Sequence, residues 1–220
     1  MTNLDFSIVL PYINLFFKGA LTAIEITLLA VLIGIFIGTF VGMGKMSRVF
    51  ILKFICSAYV EVIRGTPLLV QLLIFYFGLP QILGFTIPEF TAAVLALGIN
   101  SGGYVAEIVR GGILAVDRGQ MEAARSLGMS HAQAMRYIIL PQAFKKMIPP
   151  LGNEFITLLK NSSLATTIGF SELTRAAQIV AGNTYKPFEP YLTAAAFYFI
   201  MTLGFSWILG VLERRLAAGD

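Results

Sequence analysis

Long uncharged apolar runs constrain this chain more than any other feature. Ile26 to Gly44, Leu68 to Ile87, Phe90 to Ala106 and Tyr191 to Leu212 contain no Asp, Glu, Lys or Arg. Each is close to the ~20 residues with which an α-helix crosses a ~30 Å hydrocarbon layer. Met147 to Ile168 is a further, more polar candidate. With 57% hydrophobic and only 13% charged residues, the composition lies outside that of soluble domains. The expected fold class is all-α, a polytopic membrane protein with about five transmembrane helices. Residues 1–220 are read as a single transmembrane domain.

The basic residues orient these spans. Lys45, Arg48 and Lys53 lie between the first two, Arg110, Arg118, Arg125, Arg136, Lys145 and Lys146 between the third and fourth, and Arg214 and Arg215 after the last. All three clusters fall on one side, which the positive-inside rule makes cytoplasmic, with the N-terminus outside. The net charge of +4 is thus read as a sign of orientation, and nucleic acid is not expected as a partner. The opening MTNLDFSIVLPYINLFF has no basic n-region and no small-residue cleavage site, so no removable signal peptide is expected. Cys56 stands alone in an apolar context and implies no disulfide framework.

Gly34, Gly38 and Gly42 recur at every fourth position of the first span, a spacing that puts a smooth groove on one helix face. The following GMGKMS fails as a phosphate loop, because Thr39 and Met46 stand where that motif needs Gly and Ser or Thr. EVIRGTPLLVQ interrupts the second span. Pro67 removes a backbone donor and Gly65 loosens the preceding turn, so a broken helix is expected. In lipid such a break survives where the freed groups are buried in protein or line a wet cavity. FSELTRAAQIVAGNTYKPFEP reads as a short amphipathic helix followed by an external loop.

EAARSLGMSHAQAMRYIILP, Glu122 to Pro141, is polar by contrast. Gln120 to Leu127 favours helix, with Ala123, Ala124 and Leu127 as a small apolar face. Gly128 suits the left-handed position that ends a helix, and Ser130 with Gln133 matches a capping box opening a second helix that runs to the residues before Pro141. The first helix is too short to be stable alone in water, so it must dock on something.

Glu122-Ala123-Ala124, Gly128, Ile138 and Leu140-Pro141 together resemble the EAA motif of ABC importer permeases. YVEVIRGTPLLVQLLIFYFGLP, SGGYVAEIVRGGILAVDRGQMEAARSLGMS and NEFITLLKNSSLATTIG extend the resemblance over nearly the whole chain, to the branch that takes up histidine, lysine, arginine, glutamine or glutamate. The resemblance implies that 117–141 is a cytoplasmic coupling segment. In it Glu122, Ala123, Ala124, Arg125 and Gly128 would meet a separate ATPase, which binds ATP and Mg. This chain would then carry no cofactor and no enzymatic activity. It also implies an extracytoplasmic amino-acid-binding protein, a second permease copy as homodimer or close relative, and a multi-pass place in a bacterial or archaeal-type plasma membrane.

Charges at membrane depth mark pathways or pairs. Counting from the nearest cytoplasmic basic residue at ~1.5 Å per residue, Arg64 lies roughly 16 Å in, Glu154 about 12 Å and Asn100 about 15 Å. Three spans thus bring polar groups toward the midplane. Glu61 with Arg64, and Glu107 with Arg110, are spaced to neutralise one another on a helix face, whereas Glu154 has no cation on its own face. An amino acid in a dry site needs a partner for each charge. The expected arrangement has Glu154 receiving a cationic group, and the α-carboxylate meeting Arg64 or backbone N–H groups around Gly65, Thr66 and Pro67. Asn100, Ser101 and Asn153 would supply neutral hydrogen bonds. A carboxylate there favours arginine, lysine or histidine, with glutamine accommodated if Glu154 serves the α-ammonium; glutamate would meet repulsion.

Two other classes are weaker. An intramembrane enzyme lacks H-E-x-x-H and G-x-S-x-G, and the lone His131 sits in the cytoplasmic segment. A gated channel has no need of an ATPase-docking helix.

Overall fold

The computed structural model describes residues 4–217, and every regular element among them is helical. A 3₁₀ turn, Phe6–Tyr12, leads into α1, Ile13–Lys45. The helix therefore starts well before the uncharged run at Ile26 and carries Lys18 on the way. Next come α2, Phe50–Gly65, and α3, Leu68–Leu73. A π turn, Ile74–Gly78, joins α3 to α4, Leu79–Leu83, and α5 spans Glu89–Leu114. The short α6, Arg118–Ser126, and α7, His131–Ala134, precede a second π turn, Met135–Ile139, and α8, Leu140–Asn161. A 3₁₀ segment, Ser162–Ile168, leads to α9, Leu173–Thr184, and α10, Phe188–Ala217.

Among the described residues three helices are long and apolar enough to cross a membrane: Phe6–Lys45 as one run, Glu89–Leu114 and Phe188–Leu216. The pair Phe50–Gly65 and Leu68–Leu83, bent by 104°, makes a fourth if the two helices count as one broken span. α8 overlaps the more polar candidate Met147 to Ile168 but is not among these apolar helices, and the last part of that candidate, Ser162–Ile168, is 3₁₀.

The centre of the molecule is the packing of α1 on α5, and the glycine stripe explains its closeness. A Cβ added to Gly34 would lie 2.5 Å from Ser101 Oγ, one at Gly38 2.5 Å from Val105 Cβ, and one at Gly42 2.7 Å from the Ala106 carbonyl oxygen. The fit is mutual, since α5 offers Gly98 to Ile33 and Gly102 to Ile37 of α1. Without a hydrophobic drive between helices in lipid, such dispersion contact is what holds them together. At one end of this pair Glu107 accepts from Lys45 of α1 and from Nη2 of Arg110 at 2.8 Å. The anticipated Glu107–Arg110 pair is thus one half of a three-residue clamp that also fastens α1.

The broken span is observed at the expected place. Thr66 and Pro67 are both extended, as a residue before proline and the proline itself prefer. Glu61 and Arg64, one turn apart, do not pair among the described residues; Arg64 instead lies with Cζ 5.4 Å from the Tyr104 ring centroid. The short amphipathic helix is also present as α9, which buries Leu173, Ala176, Ala177 and Val180. Glu172 caps it, accepting from the Thr174 and Arg175 N–H groups at 2.9 and 3.0 Å and from the Tyr198 hydroxyl at 2.7 Å. Burial pushes the Glu172 carboxyl up, and these donors oppose the shift.

One expectation needs correction. The helix opened by Ser130 does not stop before Pro141: after α7 the backbone widens into the π turn and continues as α8. The Leu140 N–H reaches back to the Met135 carbonyl, so Pro141 sits in a first turn, where its missing donor costs nothing. The Leu79-Pro80 pair is built the same way, with the Leu79 N–H on the Ile74 carbonyl. The small apolar face of α6 is divided between two sides. Ala124 is buried, but Ala123 is exposed and Leu127 is 85% exposed. The side turned inward is Ala124 with Met121, beside Val116, Met135 and Ile139.

Candidate functional site

At the bend of the broken span a cavity of about 420 Å³ opens between α2, α3, α5 and α8. Arg64 and Thr66 reach it from the bend, Asn100 and Tyr104 from α5, and Glu154 and Thr157 from α8. Four of the six residues singled out in the sequence as substrate contacts, Arg64, Thr66, Asn100 and Glu154, therefore line one wall system. The other two do not. Ser101 is fully buried behind the lining, packed against Gly34 with its hydroxyl beside the Glu154 carboxylate, and Asn153 is exposed without bordering the cavity. Each is the chain neighbour of a lining residue, and one step along a helix turns a side chain by about 100°.

Tyr104, Thr157 and Asn161 also line the cavity and were not anticipated. Helical spacing was the available signal, because Tyr104 is four residues from Asn100, while Thr157 and Asn161 lie three and seven from Glu154. Among the described residues neither Glu154 nor Arg64 forms an ion pair. The cavity thus offers one acidic and one basic side chain, with hydroxyl and amide groups between them. Its volume falls within the ~300–1,000 Å³ of small-molecule sites. No residue set with metal-ligand character occurs among the described residues.

A second feature lies in the 117–141 segment. Asp117 Oδ1 caps α6 by accepting from the Gly119 N–H at 2.6 Å. The helix ends with Gly128 at φ +84, its N–H on the Arg125 carbonyl and the Met129 N–H on the Ala124 carbonyl, both at 3.1 Å. This is the Schellman arrangement, which needs a residue tolerant of the left-handed region. The predicted capping box is complete: Ser130 Oγ accepts from the Gln133 N–H at 3.2 Å, and Gln133 Oε1 accepts from the Ser130 N–H at 2.7 Å. Glu122, Ala123, Arg125 and Leu127 are all exposed on this rigid corner.

An apolar bundle with a polar cavity at a broken span has the makings of a solute-translocating membrane subunit, and comparison with known proteins gives it a family. Residues 30–218 match the binding-protein-dependent transport system inner membrane component family, and the chain belongs to it. It is 42% identical over 218 residues to the arginine transport system permease protein ArtQ of Bacillus subtilis (strain 168), covering 99% of this chain and 100% of that one. It is also 42% identical over 214 residues to the glutamine transport system permease protein GlnP of Escherichia coli (strain K12), covering 96% and 97%. Among solved structures, that of an amino acid ABC transporter with histidines matches with a TM-score of 0.94 and 55% identity over 97% of this chain and 100% of that one.

Proposed function

We propose that this chain is the permease subunit of an ATP-driven importer of cationic amino acids, and that the cavity at the broken span is where the solute rests during passage. The observation that carries this reading is the meeting of Arg64, Thr66, Asn100 and Glu154, from three separate stretches of sequence, around one cavity. An unpaired carboxylate and an unpaired guanidinium suit a zwitterion with an additional cationic group. Glu154 takes the side-chain cation, Arg64 the α-carboxylate, and Thr66 and Asn100 the remaining polar contacts. Relatives named for arginine and glutamine stand at the same identity. Glutamine is therefore the second reading, with Glu154 then serving the α-ammonium.

The chain crosses the membrane five times with its N-terminus outside, α8 being the polar crossing that carries Glu154. ATP and Mg are bound by a separate ATPase, so this chain is no enzyme; the 117–141 corner docks on that subunit through the exposed Glu122, Ala123 and Arg125, with Ala124 holding the helix to the bundle and Gly128 turning the corner. An extracytoplasmic binding protein delivers the amino acid. A second copy covers the outer side of α2, where Phe50, Ile51, Phe54 and Ile55 lie exposed beside Glu61.

Equilibrium binding of arginine, lysine, histidine, glutamine and glutamate to the purified permease–ATPase complex tests the reading. Wild type is expected to bind the cationic amino acids. Glu154→Gln is expected to weaken them roughly a hundredfold, the effect of leaving a desolvated charge without its partner. Equal binding by wild type and the variant would remove Glu154 from the site. Binding of glutamate in preference to arginine would overturn the assigned charge pattern.

A further inference from the structure

Gln71 lies in α3, one turn beyond the break, and is 7% exposed. Pro67 has no N–H to give the Ile63 carbonyl, four residues earlier, which an unbroken helix would satisfy. Gln71 supplies the missing donor. Its Nε2 donates to the Ile63 carbonyl at 2.8 Å, and to Oγ1 and the carbonyl of Thr66 at 2.9 and 3.2 Å. The Thr66 hydroxyl in turn donates to the Val62 carbonyl at 2.8 Å. On its other side Gln71 Oε1 accepts from Asn100 Nδ2 at 3.0 Å.

The direction of this chain of bonds is forced. Carbonyl oxygens only accept, so the amide nitrogen of Gln71 must face Ile63 and Thr66. Its oxygen must then face Asn100, and Asn100 must answer with its nitrogen. That leaves Asn100 Oδ1, on a residue that lines the cavity, as the acceptor available to a bound molecule.

We infer that Gln71 is a specificity-determining positioning residue. It converts the donor lost at Pro67 into a fixed orientation of the Asn100 amide, so that the cavity presents a hydrogen-bond acceptor to N–H groups of the amino acid. Gln71 borders the site without lining it, and it acts through Asn100. The inference rests on the reading of the cavity as the amino-acid site.

The test is a double-mutant cycle on the permease–ATPase complex, with binding of arginine and of glutamine measured for wild type, Gln71→Leu, Asn100→Ala and the combination. Gln71→Leu is expected to weaken binding roughly tenfold, as expected when buried acceptors lose their donor and an amide loses its anchor. The combination is expected to bind no worse than about twofold below Asn100→Ala alone, because the first substitution acts through the second residue. Gln71→Met, with similar length, replaces Gln71→Leu in the cycle if the leucine variant does not assemble. Tyr59→Phe is the control: its hydroxyl also ties α2 to α5, donating to the Ile99 carbonyl at 2.6 Å, but it lies outside the Gln71 network. It should leave binding within twofold while lowering thermal stability. Multiplicative losses in the cycle, or wild-type affinity in both Gln71 variants, overturn the assignment while the cavity reading stands. A wild-type complex that binds neither amino acid overturns the cavity reading, and this inference falls with it.

Discussion

Replacing Gly38 with isoleucine is expected to leave little assembled protein in the membrane. The new Cβ would sit 2.5 Å from Val105 Cβ and 2.9 Å from the Ala106 backbone nitrogen, and the second of these cannot move without displacing α5. The cost of overpacking a tight core is typically ~1–3 kcal/mol and more where backbone must shift, a large share of the ~5–15 kcal/mol that holds a domain folded. Separating α1 from α5 would also pull Lys45 from Glu107. The measurement is the monodisperse yield and thermal midpoint of the detergent-solubilised permease, with Gly210→Ala as the comparison, since a Cβ there meets nothing within 4 Å. Normal yield and midpoint for the isoleucine variant would show that α1 is free to move off α5.

The other large effect is expected at the corner after α6. Gly128→Pro should abolish recruitment of the ATPase while leaving the bundle folded. Proline fixes φ near −65°, whereas Gly128 stands at +84, and it removes the N–H that closes the turn on Arg125. The corner must then open and move Glu122, Ala123 and Leu127 from their present places. Gly128→Ala retains the donor and is expected to cost only about 1–2 kcal/mol of left-handed strain, giving partial recruitment. Co-purification of the ATPase with tagged permease, read beside amino-acid uptake, checks the series. Full recruitment by the proline variant would put the docking surface elsewhere on the chain.

Much of this architecture was legible in the residues themselves. The Gly34, Gly38 and Gly42 stripe announced close packing, Pro67 announced the break, and counting depth from the basic residues brought Arg64, Asn100 and Glu154 toward one level. Gly128 and Ser130 with Gln133 carry local chemistry that permits few geometries, and they took them. What could not be read was azimuth. Depth arguments do not say which way a side chain points, so Asn153 was grouped with Glu154, from which a 100° step separates it. Leu127 was grouped with Ala123 and Ala124 as one apolar face, yet Ala124 turns inward while Ala123 and Leu127 point out. Gln71 escaped because its partners are backbone carbonyls and one amide across a bend, none of which leaves a periodic trace.

The π turn at Met135–Ile139 acts as a phase setting for everything beyond it. It inserts one residue into the helical count between the capping box at Ser130 and the start of α8. Wound as ordinary α-helix, the same stretch would rotate α8 by about 100° relative to α7. Glu154 would then face away from Arg64 and Asn100, although no cavity residue had changed. The compass bearing of the cavity carboxylate is thus set some four turns away, next to the corner proposed to meet the ATPase, by an extra residue inserted before Pro141.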